Sequence, residues 1–198
     1  MSFESTTAPP FTSADPHATF LNSTALDLLL IELVPLARRL SSPHPSSSSS
    51  SQPLPATTED ASDDALFLRL EALGYKVGQG LVERFSRDRP RMVETLDVIK
   101  FVCKDLWMIC WRKQVDNLKT NHRGVYVLTD NSFRPLSKMS TEPGGNGVLR
   151  AQPYLWFPCG VLRGALANMG IEATVHAECT ELPGAVFKIE TAQKAPLV

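Results

Sequence analysis

Few residues in this sequence could carry nucleophilic chemistry. Such catalysis needs a serine, cysteine or threonine beside a base, and the chain of 198 residues has 4 cysteines and 4 histidines. Cys159, which follows Pro158, is the candidate nucleophile. Phe157 and Val161 lie close to it and predict that its thiol is buried. The pattern therefore favours a structural cysteine.

The histidines and carboxylates give no stronger signal. His122 lies in a predicted turn and His176 in a predicted strand, so both are interpreted as structural or surface residues. No group of His, Cys, Asp and Glu has the spacing of metal ligands. The paired carboxylates are assigned to a helix start and a helix surface: Asp63 with Asp64, and Glu94 with Asp97. The sequence predicts no catalytic residue, no metal and no cofactor.

Two further features invite a functional interpretation. Gly78-Gln79-Gly80 could suggest a phosphate loop, but no strand precedes it and no GK[ST] follows. Close packing of two helix backbones explains these glycines better. Arg163 is a charge in an otherwise apolar helix, and we expect it either to snorkel or to pair with a carboxylate.

Composition bounds the protein class. A formal charge of −1 gives no global attraction to nucleic acid or to an anionic membrane. The cysteines form no CxxC pair, and the first residues lack the basic and apolar regions of a secretory leader. No stretch approaches the roughly 18 apolar residues of a membrane span. We expect a soluble intracellular protein without disulfides.

The stretch from Gly74 to Trp111 organises the chain. It predicts a short helix, a charged turn closed by Pro90 and a long helix that is apolar on nearly every side. The main stripe of this helix has three- and four-residue steps: Met92, Leu96, Ile99, Cys103, Leu106 and Cys110. A helix that is apolar on two sides is usually packed on two sides. We expect it to be the central helix.

The first two helices each have a second apolar face. In the first helix, the main stripe is expected to pack on its own domain: Leu26, Leu29, Leu30, Leu33, Leu36 and Leu40. The opposite group, Leu28, Ile31 and Pro35, needs another partner, unless the helix is buried wholly within one chain. The second helix is predicted from Asp63 to a Gly74 cap. Its main stripe includes Leu66 and Leu70, and its lesser face holds Leu68 and Ala72.

The remaining segments change period and complete the domain. Strands are predicted at 117–120, 125–129, 173–179 and 185–191, with a short piece at 133–136. Between them lies a helix whose Gly160, Gly164 and Ala167 face is expected to pack on a sheet, and which Gly170 caps. The predicted fold is α+β, with helices packed on one face of a twisted antiparallel sheet.

The predicted boundaries give one domain with two tails. The domain covers 22–192, with a disordered tail at 1–21 and a short tail at 193–198. A Ser/Pro-rich linker at 41–60 reads as a passive spacer, although it could carry phosphorylation sites. A flexible loop is predicted at 139–153.

Three long stretches carry a resemblance to a known family. They are GYKVGQGLVERFSRDRPRMVETLDVIKFVCKDLW, QVDNLKTNHRGVYVLTDN and YLWFPCGVLRGALANMGIEATVHAECTELPGAVFKIE. Together they resemble the subunit-six family of the transport protein particle (TRAPP). The resemblance implies an α+β subunit that forms a heterodimer with the related core subunit three through its first two helices. The interface is then expected on the second apolar faces: Leu28, Ile31, Pro35, Leu68 and Ala72.

The resemblance also implies the wider role. Such subunits join other TRAPP subunits in a cytoplasmic complex, peripheral at cis-Golgi, ER–Golgi and trans-Golgi membranes. The complex exchanges guanine nucleotide on Rab/Ypt GTPases and tethers vesicles. Because the exchange surface lies largely on other subunits, this chain is expected to be architectural and not an enzyme. It would meet the GTPase and the membrane only through the complex, and no nucleic acid is expected.

A ligand-binding function remains the alternative. The same fold resembles domains that enclose apolar ligands between helices and sheet. The related subunit three carries an acylated cysteine before the long helix, where this chain has Arg89 and Pro90. No acyl thioester is therefore expected at that point, although an apolar channel could persist.

Overall fold

The helices precede, interrupt and cover one small sheet. The computed structural model describes residue 19 and residues 21–41, 57–121, 123–141 and 145–192. The first two helices are α1 (Ser23–Ser41) and α2 (Thr57–Ser86). The central helix runs without a break through α3 (Thr95–Phe101), a π-helical segment (Val102–Leu106) and α4 (Trp107–Trp111). The later elements are β1 (Asn117–Thr120), β2 (Val125–Asp130), a 3₁₀ turn (Arg134–Leu136), α5 (Gly147–Ala151), α6 (Pro153–Asn168), β3 (Ala173–Glu178) and β4 (Ala185–Thr191).

The four strands form an antiparallel sheet in the order β1-β2-β4-β3. Each predicted hairpin forms, and β2 joins the two hairpins by pairing with β4. Side chains alternate across the sheet, so that Ala185, Phe187 and Ile189 of β4 are buried under the helices. The predicted α+β class with an antiparallel sheet is confirmed.

The central helix packs on both of its sides, as its composition predicts. Ile99 and Cys103 of the main stripe are fully buried, and Val98 and Phe101 on the other side are buried as well. At its end, Trp107 packs edge-on against Phe187 of β4, with ring centroids 5.2 Å apart. The helix therefore holds the sheet and the outer helices together.

A buried carboxylate fixes the end of the central helix to the sheet. Trp107 Nε1 donates to Asp130 Oδ2 at 2.9 Å, and Lys113 Nζ donates to Asp130 Oδ1 at 2.7 Å. Because the π-helical segment shifts the backbone pairing, the carbonyl of Cys103 is free to accept from the Val115 amide at 3.1 Å. These bonds direct the chain from the central helix into β1.

The prediction that α2 ends at Gly74 is wrong, because the helix continues for about three more turns, to Ser86. Gly74 and Gly78 lie against α6, and Gly160 and Gly164 of α6 lie against α2. A Cβ atom at Gly164 would stand 2.0 Å from the Tyr75 carbonyl oxygen, so neither backbone leaves room for a side chain. Close helix packing is confirmed for Gly78, but not for Gly80, which has open space around it. The expectation that the small face of α6 packs on the sheet is wrong, because that face meets α2.

Some of the other predicted boundaries differ from the observed ones. Helix α2 begins at Thr57, inside the predicted linker 41–60, and α5 lies inside the predicted loop 139–153. The remaining linker residues 42–56, the loop residues 142–144, and the tails before residue 19 and after residue 192 lie outside the described residues. The cap of α6 is confirmed: Gly170 has φ 79°, and the Ile171 amide donates to the Leu166 carbonyl at 2.9 Å.

The glycine contact between α2 and α6 gives a matched pair of substitutions. In Gly78→Ala, the new Cβ would meet the Val161 carbonyl oxygen at 2.1 Å. We expect the free energy of unfolding to fall by about 3 kcal/mol, since backbone must move to admit the methyl group. In Gly80→Ala, which has no atom within 4 Å, we expect a gain of about 0.5–1 kcal/mol from helix propensity.

Urea unfolding followed by tryptophan fluorescence measures both changes. Equal effects of the two substitutions would show that the close approach of α2 and α6 does not limit stability.

Candidate partner interface

Helix α1 lies against the body through a narrow inward face. Leu30 joins the main core, while Val34 and Ala37 pack against Leu66 and Leu70 of α2. The helix starts at Ser23, where Asn22 Oδ1 accepts from the Thr24 amide at 3.0 Å and caps the first turn. Only one side of α1, with Leu30, Val34 and Ala37, is therefore buried.

An ion pair fixes α1 to the distant 3₁₀ turn. Arg134 Nε donates to Asp27 Oδ1 at 2.7 Å, and Arg134 Nη2 donates to Asp27 Oδ2 at 3.0 Å. The hydrogen bond from Arg134 lowers the pKa of the Asp27 carboxyl below its ordinary value. Both side chains are about one-fifth exposed, so this two-pronged pair is partly shielded from water.

The outer sides of α1 and α2 expose many large apolar side chains. Leu28, Leu29 and Leu40 of α1 are about 60% exposed (61%, 62% and 59%), and Leu68 of α2 is 63% exposed. Four further large apolar side chains on these helices are exposed to a smaller extent: Ile31, Leu36, Leu73 and Val77. So many apolar side chains on two neighbouring helices form a patch that is typical of an interaction surface.

Part of this patch is a groove between the two helices. Two clefts of about 370 Å³ and 390 Å³ share Leu33 and Leu73 in their walls, and so form one continuous depression. Leu29, Leu36 and Leu40 line it from α1. The main stripe was expected to pack on its own domain, and for these three residues that expectation is wrong. They lie on the flank of α1, beyond the reach of the narrow inward face.

The residues predicted for the interface fall in different places. Leu28, Ile31 and Leu68 are exposed outside the groove, and Ala72 is exposed on its wall. Pro35 is half-buried within α1. We call the α1 group Leu28, Ile31 and Pro35 the outer ridge, because on a helical wheel it points away from the buried face. The groove was not predicted from the sequence, although the leucines that line it from α1 belong to the predicted main stripe.

A charged pair stands between α2 and α6. Arg163 Nη2 donates to Glu71 Oε2 at 2.8 Å, and its guanidinium lies 4.5 Å from the centre of the Tyr75 ring. Of the two alternatives for Arg163, pairing with a carboxylate is confirmed. The pair is packed against the glycine contact, so it fixes the register of α6 on α2.

The cysteines have the properties of packing residues. Burial raises the pKa of the thiols of Cys103, Cys110 and Cys159 to about 12, with Glu71 adding to the effect at Cys159. Thiols with so high a pKa are poor nucleophiles. His176 is exposed on β3, and His122 lies outside the described residues.

The described residues offer no other recognisable centre. Within the ranges that the structure describes, no three His, Cys, Asp or Glu side chains come together as metal ligands. None of the helices in that part of the chain is both long and apolar enough to cross a bilayer. The apolar surface of α1 and α2 is the feature that calls for a function.

Comparison with known proteins gives consistent matches. Residues 26–192 match the model of the family described as transport protein particle (TRAPP) component. Trafficking protein particle complex subunit 6b of Danio rerio is 45% identical over 134 residues, which are 68% of this chain and 84% of that protein. Subunit 6B of Homo sapiens is 48% identical over 121 residues, 61% of this chain and 75% of that protein.

A solved structure shares the fold. It is a trafficking protein particle complex subunit 3 from Naegleria fowleri, covalently bound to palmitic acid, with a TM-score of 0.59. The match covers 87% of this chain and 98% of that chain at 17% sequence identity. At that identity the likeness concerns the fold.

The ion pair at the start of α1 can be tested directly. In Asp27→Asn, the charge-assisted bonds to Arg134 are lost, and we expect amide hydrogen exchange in α1 to become about tenfold faster. The central helix should exchange as before. Because the folded-state pKa of Asp27 is lowered, the pair stabilises α1 above the ordinary aspartate pKa of about 3.9. That contribution is lost as pH falls through the lowered value, so the two proteins should begin to converge below about pH 4 and become alike only below the lowered pKa of Asp27. Unchanged exchange in α1 at neutral pH would show that apolar packing alone holds this helix.

Proposed function

Because this chain belongs to the transport protein particle (TRAPP) component family, and within it to the subunit-six group, we propose that it is an architectural subunit that pairs with core subunit three through α1 and α2. The observation that carries this proposal is the apolar surface of those two helices. In the described part of the chain, no other protein segment covers the groove or the outer ridge.

Magnitudes support a partner on this surface. Burying one large apolar side chain contributes ~1.5–3 kcal/mol. Leu28, Leu29, Leu40 and Leu68 are more than half exposed, and four smaller exposures surround them. Together these side chains could contribute on the order of 10 kcal/mol, which can offset an association cost of ~4–15 kcal/mol. We place the five predicted residues, Leu28, Ile31, Pro35, Leu68 and Ala72, in the contact, and extend it to the groove.

The proposed role is assembly and not catalysis. The heterodimer would join other TRAPP subunits in a complex that exchanges nucleotide on Rab/Ypt GTPases. The burial of Cys103, Cys159 and Cys179 supports a structural role for these residues in that assembly. The subunit would be cytoplasmic and would reach cis-Golgi, ER–Golgi and trans-Golgi membranes through the complex.

Substitutions on the groove and on the outer ridge test the pairing separately. We expect Leu36→Asp with Leu73→Asp to weaken co-purification with subunit three at least tenfold, because two carboxylates would be buried without partners. Leu28→Asp with Ile31→Asp should have an effect of similar size. Val93→Asp is the matched control, since Val93 is 85% exposed before the central helix and far along the chain from both surfaces.

The measurement is the stoichiometry of the complex after size exclusion, with Kd from titration. Pairing that survives both double substitutions would remove the proposal. Pairing lost only with the groove variant would restrict the contact to the groove.

A ligand-binding function is the second candidate, and one cleft favours it. The cleft of about 390 Å³ has apolar walls from α1, α2, α4 and α6, including Leu26, Ile109 and Phe157. The similar subunit 3 is covalently bound to palmitic acid. The resemblance implies that Arg89 stands where the related subunit is acylated. In this chain the Arg89 guanidinium donates to both carboxylate oxygens of Asp105 at 2.7 Å. Any ligand would thus be held without a thioester at that point.

Native mass spectrometry distinguishes the two candidates. For the architectural function we expect the purified heterodimer to have the summed mass of its two chains plus only ligand that belongs to subunit three. A stoichiometric apolar molecule on this chain alone would favour the second candidate.

A further inference from the structure

We propose that the free edge of strand β3 is a second docking site, which accepts an extended segment of another protein as an added strand. The segment would alternate apolar and basic side chains. This proposal does not depend on the pairing through α1 and α2, because its hydrogen-bonding groups belong to β3, which is outside that contact. The two sites share one helix, since Phe67 of α2 borders the edge.

The hydrogen-bonding pattern shows which backbone groups of β3 are available. Among the residues that the structure describes, β3 is the last strand of the sheet and pairs only with β4. The Ala192 amide donates to the Glu172 carbonyl across this pair, so residues of even number bond to β4. The amides and carbonyls of Ala173, Val175 and Ala177 therefore point outward. Within the described ranges, these outward groups accept one hydrogen bond. Gln152 Nε2 donates it to the Ala177 carbonyl at 2.8 Å.

Gln152 shows that the edge can accept a partner. Its side-chain amide stands where the backbone amide of an added strand would stand. In the part of the chain that the structure describes, the outward groups of Val175 have no such partner, and an incoming residue opposite Val175 could exchange two hydrogen bonds with it. Main-chain bonds of this kind give affinity in strand addition, and side-chain pockets give specificity.

A small cleft with both polar and aromatic walls lies beside the same edge. It has a volume of about 250 Å³ and is bounded by β3 together with Phe67 of α2 and Trp156 of α6. The two rings meet edge to face with centroids 5.6 Å apart, and Phe67 is 37% exposed. An apolar side chain on the inner face of an added strand would enter this cleft. Aromatic anchors next to an open edge explain why one face of the segment should be apolar.

The other face of the edge is acidic. Glu172, Glu178 and Glu181 are exposed at the two ends of β3. Lys188 on β4 attracts Glu178 electrostatically. His176 lies between the glutamates on the outer face, and Lys188 on β4 is already paired with Glu190 at 2.6 Å. Lysine or arginine on the outer face of the added strand would therefore meet complementary charge.

The same charges disfavour a second copy of this chain as the occupant. If two β3 strands paired antiparallel about Val175, Glu172 of each chain would lie opposite Glu178 of the other. Like charges directly opposite each other destabilise a pair of strands. The edge is thus protected against self-association but open to a basic segment, a combination that matches a docking site.

Three synthetic peptides test the proposal on the full chain. The first alternates lysine and leucine over nine residues, the second has glutamate in place of lysine, and the third has proline in place of each leucine. Of the three, we expect only the lysine–leucine peptide to bind. Its binding should protect the Val175 and Ala177 amides from hydrogen exchange.

Substitutions on the protein then assign the binding to the edge. Glu172→Lys with Glu178→Lys should weaken the first peptide at least tenfold at low salt and allow the glutamate peptide to bind. Trp156→Ala should weaken it by a similar factor. Glu83→Lys with Glu94→Lys is the matched control, because both residues are exposed on other elements and the net charge changes equally. It should leave the affinity within twofold of the original.

Each outcome decides the proposal. Protection at Val175 with the expected charge preference supports it, and so does binding that persists in the groove variant Leu36→Asp with Leu73→Asp. That last result also separates this site from the pairing through α1 and α2. Absent binding, equal binding of the glutamate peptide, protection elsewhere, or dimerisation of the free chain through β3 would each overturn it.

Discussion

The close approach of α2 and α6 is the constraint on which the rest of the structure depends. Two glycines on each helix face the backbone of the other, and the atoms that would meet a side chain are carbonyl oxygens and amides. Backbone cannot yield as a flexible side chain can, so this contact fixes both the distance and the register of the two helices. Glu71 and Arg163 then lie opposite each other and form their ion pair across the same contact.

This fixed pair of helices determines what is buried and what is free. One side of α2 packs against α6. The part of α2 that contacts α1 is therefore the edge formed by Leu66 and Leu70. Helix α1 is correspondingly covered on one side, and its position is completed by the ion pair of Asp27 with Arg134. Because α1 cannot sink further between α2 and the central helix, its flanking leucines stay in solvent. The exposed apolar surface is thus a consequence of the glycine contact.

Much of the fold could be predicted, because period and caps are local properties. The strands, the central helix and the cap at Gly170 all follow from spacing and residue type. The partner of a small-residue face could not be predicted, since such a face fits a sheet or a helix equally well. The four-residue spacing of Gly74 and Gly78, repeated at Gly160 and Gly164, was the available signal that two helices meet.

The candidate interface shows the same limit. An apolar stripe predicts that some face of α1 is buried, but its width does not say how far the cover extends. Leu29, Leu36 and Leu40 share a stripe with Leu30, yet the neighbouring helices reach only Leu30. The spacing of Leu28 and Ile31 predicted that apolar residues lie opposite the buried face, and they do lie there in solvent. In the proposed pairing, the segment that covers them belongs to a second polypeptide, which no pattern within this chain specifies.

The two open surfaces differ in how selective they can be. The groove between α1 and α2 offers mainly apolar side chains, so its affinity scales with area and its selectivity depends on shape. The edge of β3 offers directed backbone groups flanked by charge, so few contacts suffice to define orientation and to reject like-charged strands. If both proposals hold, a subunit with one surface of each kind binds two partners through different interactions. That division follows from the fold, because the helices cover one face of the sheet while the outer edge of β3 has no partner strand among the described residues.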